Sequence, residues 1–221
     1  KQIPNNKWWD ISVFMETAQE VGGDYYDFSI SDEGTMTVAL GDATGHGMKA
    51  GIMVATAKSY FHTLANDYDN LGILRRMSSG IRNMNLKTMY MSMFLLKCRK
   101  HHIKYISAGM PPSLYYNSSG NRVEELVLKG MPLGSRVEYP YKEQTLQMHA
   151  GDTILLMSDG FTELFNENRE LLGMERIRQA FKEVADLSAA DIMNQLNKLI
   201  EGWAGGMDHE DDITIMVLKA K

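Results

Sequence analysis

Four aspartates stand in contexts that suit metal chemistry. They are Asp24 in Gly22-Gly23-Asp24-Tyr25-Tyr26-Asp27, Asp42 in Gly41-Asp42-Ala43-Thr44-Gly45-His46-Gly47, Asp159 in Ser158-Asp159-Gly160, and Asp211 in Asp211-Asp212-Ile213-Thr214. Glycine beside each of the first three lets backbone approach an ion or ligand closely. Carboxylates gathered without cations repel, by about 4 kcal/mol for a pair about 4 Å apart at an effective dielectric of about 20. Cations remove that cost, and all-oxygen ligation suits Mg²⁺ or Mn²⁺ rather than zinc. Any one Asp-Gly is ordinarily a turn, and an acidic run such as Asp208–Asp212 is ordinarily a solvated loop. Here the run switches at once to Ile213-Thr214-Ile215-Met216-Val217-Leu218, which sets its last carboxylates at the mouth of a buried strand.

Other candidates lie nearby. Gly45-His46-Gly47 opens a helical pattern with Thr44 as its expected N-cap, and a helix N-terminus can face a phosphate. His46 is a candidate general acid or simply orders that turn. Lys49 is a candidate phosphate contact or a solvated helix-face lysine. The one cysteine, Cys98, is not set in a phosphate-cradling loop, which counts against a cysteine nucleophile.

The elements that must position these groups follow from periodicity. Residues 11–42 alternate as strands, with Asp32-Glu33-Gly34 as a hairpin turn, and suggest a meander. Residues 46–66 turn helical, with Met53, Ala57, Tyr60, Phe61 and Leu64 on one stripe, and a second helix is expected over 70–85. Strands are expected at 92–98, 102–107, 113–117, 123–128, 143–148 and 152–158. Residues 173–203 are again helical, with Ser188 and Asp191 as a capping pair, and 212–219 closes as a strand. Strands, helices, strands, helices, strand fits antiparallel sheets covered by helices rather than an alternating parallel fold. No internal repeat is visible.

The bulk properties limit the function. The 221 residues, 44% hydrophobic and 23% charged, are read as one domain without a linker. A net charge of −5 with no basic blocks argues against nucleic acid, one cysteine argues for a reducing cytoplasm, and no apolar run is long enough to insert in a membrane. The 17 methionines are read as adaptable core filling. Lys1-Gln2-Ile3-Pro4 has neither initiator Met nor signal-like run, so a piece of a longer protein is expected, with an upstream sensor or a membrane tether.

Taken together, these motifs resemble the metal-dependent phosphatases of the protein phosphatase 2C superfamily, and most closely their bacterial SpoIIE/RsbU-like branch. Ser107-Ala108-Gly109, Pro132-Leu133-Gly134, Gly151-Asp152 and Phe161-Thr162-Glu163 extend the match in the family's order over nearly the whole chain. The resemblance implies an α+β fold, an αββα sandwich of two antiparallel sheets flanked by helices, with two Mn²⁺ or Mg²⁺ ions. It implies that Asp42 bridges both ions with the Ala43 carbonyl as a further ligand, that Asp24 serves one ion, and that Asp159 and Asp211 serve the other, with Asp212 the alternative to Asp211. Water activated between the ions then attacks a phosphoserine or phosphothreonine monoester, with no phosphoenzyme. The implied substrate is a phosphorylated antagonist of an anti-sigma factor, and the implied control is an upstream sensor domain. A catalytically silent partner-binding module of the same fold is the alternative. Two departures stand out: no arginine precedes Arg75, and Met110 stands where the branch usually has histidine. Phosphate-binding side chains are therefore unassigned.

Overall fold

The computed structural model describes residues 3–86, 88–136 and 138–221. The chain forms two compact units, each built on one five-stranded, wholly antiparallel sheet. The first comprises Gln19–Met110 and Leu128–Gln147. It contains β2 (Asp24–Ile30), β3 (Met36–Ala43), β4 (Met91–Arg99), β5 (His102–Ala108) and β8 (Glu143–Gln147), hydrogen-bonded in that order, with helices α1 (Met48–Leu64) and α2 (Asn70–Asn83). The second comprises the chain up to Ala18, Pro111–Val127 and Met148–Lys221. Its sheet runs β1 (Trp9–Glu16), β10 (Ile213–Ala220), β9 (Thr153–Met157), β6 (Ser113–Asn117) and β7 (Arg122–Leu126). Helices α3 (Asp159–Thr162), α4 (Gly173–Val184) and α5 (Ala189–Ala204) belong to it.

Strand patterning dictates the cores. Ala39, Met93, Leu95 and Ile106 form one cluster with Met53, Ala57, Phe61, Ile73 and Met77 of the helices, while their alternates Val38, Leu40, Phe94 and Leu96 are equally buried. A strand buried on both faces carries a near-continuous apolar run, which is what Met93–Leu96 shows. In the second unit Leu155, Met157, Ile215 and Val217 pack with Phe181, Ile192 and Leu196.

Two expectations need correction. The N-terminal strands do not form a meander: β1 pairs with β10, and only β2 and β3 pair with each other. Alternation identifies a strand but not its partner. Thr44 is not an N-cap; its hydroxyl donates to the Tyr90 carbonyl at 3.3 Å, and Gly47, at φ 77°, takes the N-cap position. Asp159, just past the end of β9, opens the one-turn helix α3. The pair Ser188–Asp191 does cap α5, the Asp191 N–H donating to the Ser188 hydroxyl.

The sequence shows no repeat, yet both units use one device. In the first, Thr37 of β3 and Lys97 of β4 are register partners, and both donate to the carbonyl of Ala65, the C-cap of α1. In the second, Thr153 of β9 and Lys219 of β10 are partners, and both donate to the carbonyl of Ala185, the C-cap of α4. An ammonium at a helix C-terminus satisfies an orphan carbonyl and opposes the negative end of the dipole. Burial pushes both lysines below their ordinary pKa. Lys97→Met keeps the apolar stem and removes the donor, so it is expected to cost about 1–2 kcal/mol, charge-assisted hydrogen bonding outweighing the relief of desolvation. A thermal melt checks this, with a drop of about 2–4 °C per kcal/mol.

Candidate active site

Each unit brings two of the four aspartates to the ends of its strands. In the first, Asp24 and Asp42 face each other as register partners of β2 and β3. Directly opposed residues of an antiparallel pair project to the same face, so two carboxylates share one side of the sheet end, Asp24 with only 4% of its surface exposed. The neighbouring loop is tied back by the Ala43 N–H to the Gly23 carbonyl at 2.9 Å and the Gly47 N–H to the Val21 carbonyl at 2.9 Å. Gly23 is needed for close approach: a Cβ there would stand 2.5 Å from the Ala43 carbonyl oxygen, 3.0 Å from that of Gly45 and 3.3 Å from Asp42 Oδ1. Three oxygens therefore converge on the bare side of Gly23.

The residues after Asp24 anchor this strand. The buried Tyr25 hydroxyl donates to Asp27 Oδ2 at 3.1 Å, and His62 Nε2 of α1 lies 3.0 Å from the same oxygen. Burial first, then the Asp27 charge, pushes the Tyr25 phenol far above its ordinary pKa, so it stays a donor.

In the second unit, Ser158-Asp159-Gly160 and Asp211-Asp212-Ile213-Thr214 are locked together. The Ser158 N–H donates to the Thr214 carbonyl, the Thr214 N–H to the Ser158 hydroxyl, each at 2.9 Å, and that hydroxyl donates to the Asp212 carbonyl at 3.3 Å. A Cβ on Gly160 would stand 2.1 Å from the same Asp212 oxygen. Burial, then the nearby Glu163 carboxylate, raises the Asp159 pKa. Asp212 is buried, and its Oδ1 accepts from the Ala18 N–H at 2.8 Å. Asp211 is exposed and lines a cavity of about 280 Å³ with Gly160, Glu163, Phe165 and Arg169. Both carboxylates accept a backbone N–H, Asp212 from Ala18 and Asp211 from Asp212 at 2.8 Å, but of the two only Asp211 is exposed and lines the cavity.

Other candidates are placed as follows. His46 and Lys49 are exposed at the start of α1. Met110 is buried. Cys98 is buried, which pushes its thiol up to about 12 and makes it a poor nucleophile. The backbone-holding role of Asp212 and the presence of Arg169 beside Asp211 were missed from sequence; only the hydrophobic switch after Asp212 hinted at the first.

Among the described residues no three His, Cys, Asp or Glu side chains stand close enough to hold an ion by themselves. The donor set still fits a hard cation, because Mg²⁺ keeps several waters and needs only one or two carboxylates. The carbonyl oxygens beside Gly23 and Asp42 Oδ1 are donors of that kind.

Comparison with known proteins places the chain. It is 27% identical over its whole length to the phosphoserine phosphatase RsbU of Bacillus subtilis, of which it covers 66%. It covers 38% of the protein IcfG of Synechocystis and 24% of the stage II sporulation protein E of B. subtilis, so it spans less than two thirds of these relatives. The SiaA PP2C domain of Pseudomonas aeruginosa superposes with a TM-score of 0.82 at 20% identity, over 95% of this chain and 84% of that one. RsbX, solved in complex with magnesium, superposes at 0.77 with 17% identity, over 100% and 99%. The fold is therefore that of PP2C-type phosphatase domains. Residues 32–221, most of the chain, match the family model for stage II sporulation protein E, and the chain belongs to that SpoIIE family.

Proposed function

We propose that this chain is a metal-dependent protein serine/threonine phosphatase. The observation that carries the reading is the opposed Asp24–Asp42 pair beside the oxygen cradle at Gly23, set in a chain of the SpoIIE family. The proposed ligands of two Mn²⁺ or Mg²⁺ ions are Asp24, Asp42, the Ala43 carbonyl, Asp159 and Asp211. The exposure of Asp211 to the cavity, beside the buried Asp212, favours the former. When bound, such ions supply a water activated at neutral pH and neutralise charge on the phosphoryl oxygens.

The chain's own residues prepare that chemistry. The two opposed carboxylates of the first unit repel without a cation, so their sheet end is poised to take one. The bond from Tyr25 to Asp27 fixes the strand that carries Asp24, and the interlock of Ser158 with Thr214 fixes the spacing of Asp159 and Asp211. No serine or cysteine nucleophile is required. The proposed substrate is a phosphoserine or phosphothreonine protein, which the relative named a phosphoserine phosphatase supports; an anti-sigma factor antagonist as that protein, and control by an upstream sensor domain, are proposed from the family resemblance. Among the described residues no helix is long and apolar enough to cross a membrane.

The test is release of p-nitrophenolate from p-nitrophenyl phosphate with Mn²⁺, with Mg²⁺ and with EDTA. Turnover in Mn²⁺ that EDTA abolishes is expected; no turnover with either metal, for the chain alone or joined to its native upstream region, overturns the proposal. Metal also binds the folded state alone, so saturating Mn²⁺ at about 100 times Kd is expected to stabilise by about 2.7 kcal/mol. At about 2–4 °C per kcal/mol, a melt should rise by roughly 5–10 °C.

A further inference from the structure

We propose that Arg169 is a specificity residue that reads an acidic side chain flanking the phosphorylated serine or threonine of the protein substrate, with Glu210 holding its place until substrate arrives. The inference deepens the phosphatase reading and rests on it. Arg169 is the one arginine or lysine, among the described residues, lining the cavity that Asp211 also lines. It is presented there by a small rigid hairpin. Phe165 and Leu171 form an isolated antiparallel bridge, the Asn166 N–H donates to the Glu170 carbonyl at 3.0 Å, and the Arg169 N–H to the Asn166 carbonyl at 2.9 Å. The Asn166 side-chain oxygen accepts from the N–H groups of Asn168 and Glu170. Arg169 itself takes a left-handed backbone, φ 61°, at the tip, where a glycine would sit with less strain. A long cationic side chain stands at a position whose backbone does not favour it.

Its surroundings show which chemistry it takes. The guanidinium lies 4.3 Å from the centroid of the Phe165 ring, stacked as arginine but not lysine stacks, and pairs with the Glu210 carboxylate. The side chains of that pair are 63% and 60% exposed, so it contributes little to stability. A substrate carboxylate can replace Glu210 with the same planar geometry at little cost. The neighbouring arginines are committed elsewhere: Arg176 stacks on Trp203 and donates to the Leu171 and Leu172 carbonyls, and Arg178 pairs with Glu175. The other charged side chains lining the cavity are the carboxylates of Glu163, Asp208, Glu210 and Asp211, which disfavour an acidic peptide away from Arg169, while His209, also in the lining, lies 3.6 Å from the Glu16 carboxylate. Discrimination by flanking charge therefore falls on this one side chain.

The experiment uses two phosphoserine peptides identical except that the residues flanking the phosphoserine are Glu in one and Lys in the other. Two quantities are measured: kcat/KM in Mn²⁺, and Kd by fluorescence anisotropy in EDTA. The chain is expected to favour the Glu peptide by about tenfold in both ratios, the size of one charge contact at an interface. Arg169→Glu should bring the ratio to about one or invert it, and Glu210→Gln, which removes the competitor, should raise it by about threefold. A ratio near one in the parent overturns the assignment, as does a preference that survives Arg169→Glu. Should that variant lose its circular dichroism melt, Arg169→Gln carries the same comparison without a second negative charge beside Glu210. Hydrolysis of p-nitrophenyl phosphate, which has no flanking residues, separates the two failures. Its absence in the parent sinks the phosphatase reading, whereas turnover together with a peptide ratio of one sinks only Arg169.

Discussion

Asp42→Ala is expected to reduce Mn²⁺-dependent hydrolysis at least about a thousandfold, or about 4 kcal/mol of barrier. The proposed bridging role makes Asp42 a ligand to both ions, so one truncation empties both positions. The same change should leave the metal-free fold intact or slightly firmer. Asp42 stands directly across the sheet from the buried Asp24, and removing one of two opposed like charges relieves a repulsion of about 0.2–1 kcal/mol. The predicted signature is thus a dead enzyme whose melt in EDTA is no lower than the parent's but no longer rises with Mn²⁺. Asp42→Asn keeps one oxygen and the volume, and should recover part of the activity at raised Mn²⁺. Asp32→Ala, in the exposed turn between β2 and β3, serves as control. Near-parental turnover in Asp42→Ala would remove this residue from the metal site.

Much of this arrangement is legible in the sequence because the relevant constraints are local. The stripe Met53, Ala57, Phe61, Leu64 of α1 is buried as its period demands, and the capping pair at Ser188 marks the start of α5. Strand ends next to glycine locate Asp24 and Asp42. What is not legible is long-range. Nothing local says that residues 9–16 pair with residues 213–220, since an alternating strand fits any partner that buries its apolar face. Nor does anything local distinguish Asp211 from Asp212. That depends on Ala18, 194 residues away, donating its N–H to the second and not the first. Arg169 escaped notice for the opposite reason: its turn is read from local chemistry, but its value lies in the cavity it borders, which exists only once Asp211 is placed.

The Thr–Lys clamps make the same point about repeats. Thr37 with Lys97 and Thr153 with Lys219 do matching work at the ends of α1 and α4. Each threonine starts an apolar run, Thr37-Val38-Ala39-Leu40 and Thr153-Ile154-Leu155-Leu156, and each lysine ends one, Leu95-Leu96-Lys97 and Val217-Leu218-Lys219, but so short a pattern does not show that the two residues of a clamp meet. A helix C-terminus needs its carbonyls satisfied, and a lysine one strand away from a threonine is a compact answer. Each clamp fixes a helix against its own sheet at the strand ends away from the acidic motifs.

Gly160→Ala is expected to be the most damaging small substitution in the second unit, costing about 3 kcal/mol or more, at the upper end of overpacking penalties. The added methyl would meet the Asp212 carbonyl oxygen at 2.1 Å. That oxygen is backbone, between the buried Asp212 and the buried Thr214, and it already accepts from the Ser158 hydroxyl. It cannot retreat by changing a rotamer; the strand entry must move, carrying Asp211 away from Asp159. A fall in melting temperature of roughly 6–12 °C follows from about 2–4 °C per kcal/mol in a chain of this size, and hydrolysis should fall with it even below the melt. Gly80→Ala is the instructive comparison, since its Cβ would also lie 2.1 Å from a neighbour, the Tyr60 hydroxyl oxygen. That neighbour is the far end of a rotatable side chain, and alanine in a helix interior gains about 1 kcal/mol over glycine, so the loss there should be small once Tyr60 swings aside. If both variants melt alike, the close approach of the two acidic motifs is not what holds this end of the sheet together; if only Gly160→Ala collapses, backbone contact between the motifs is the element that keeps Asp159 and Asp211 at working distance.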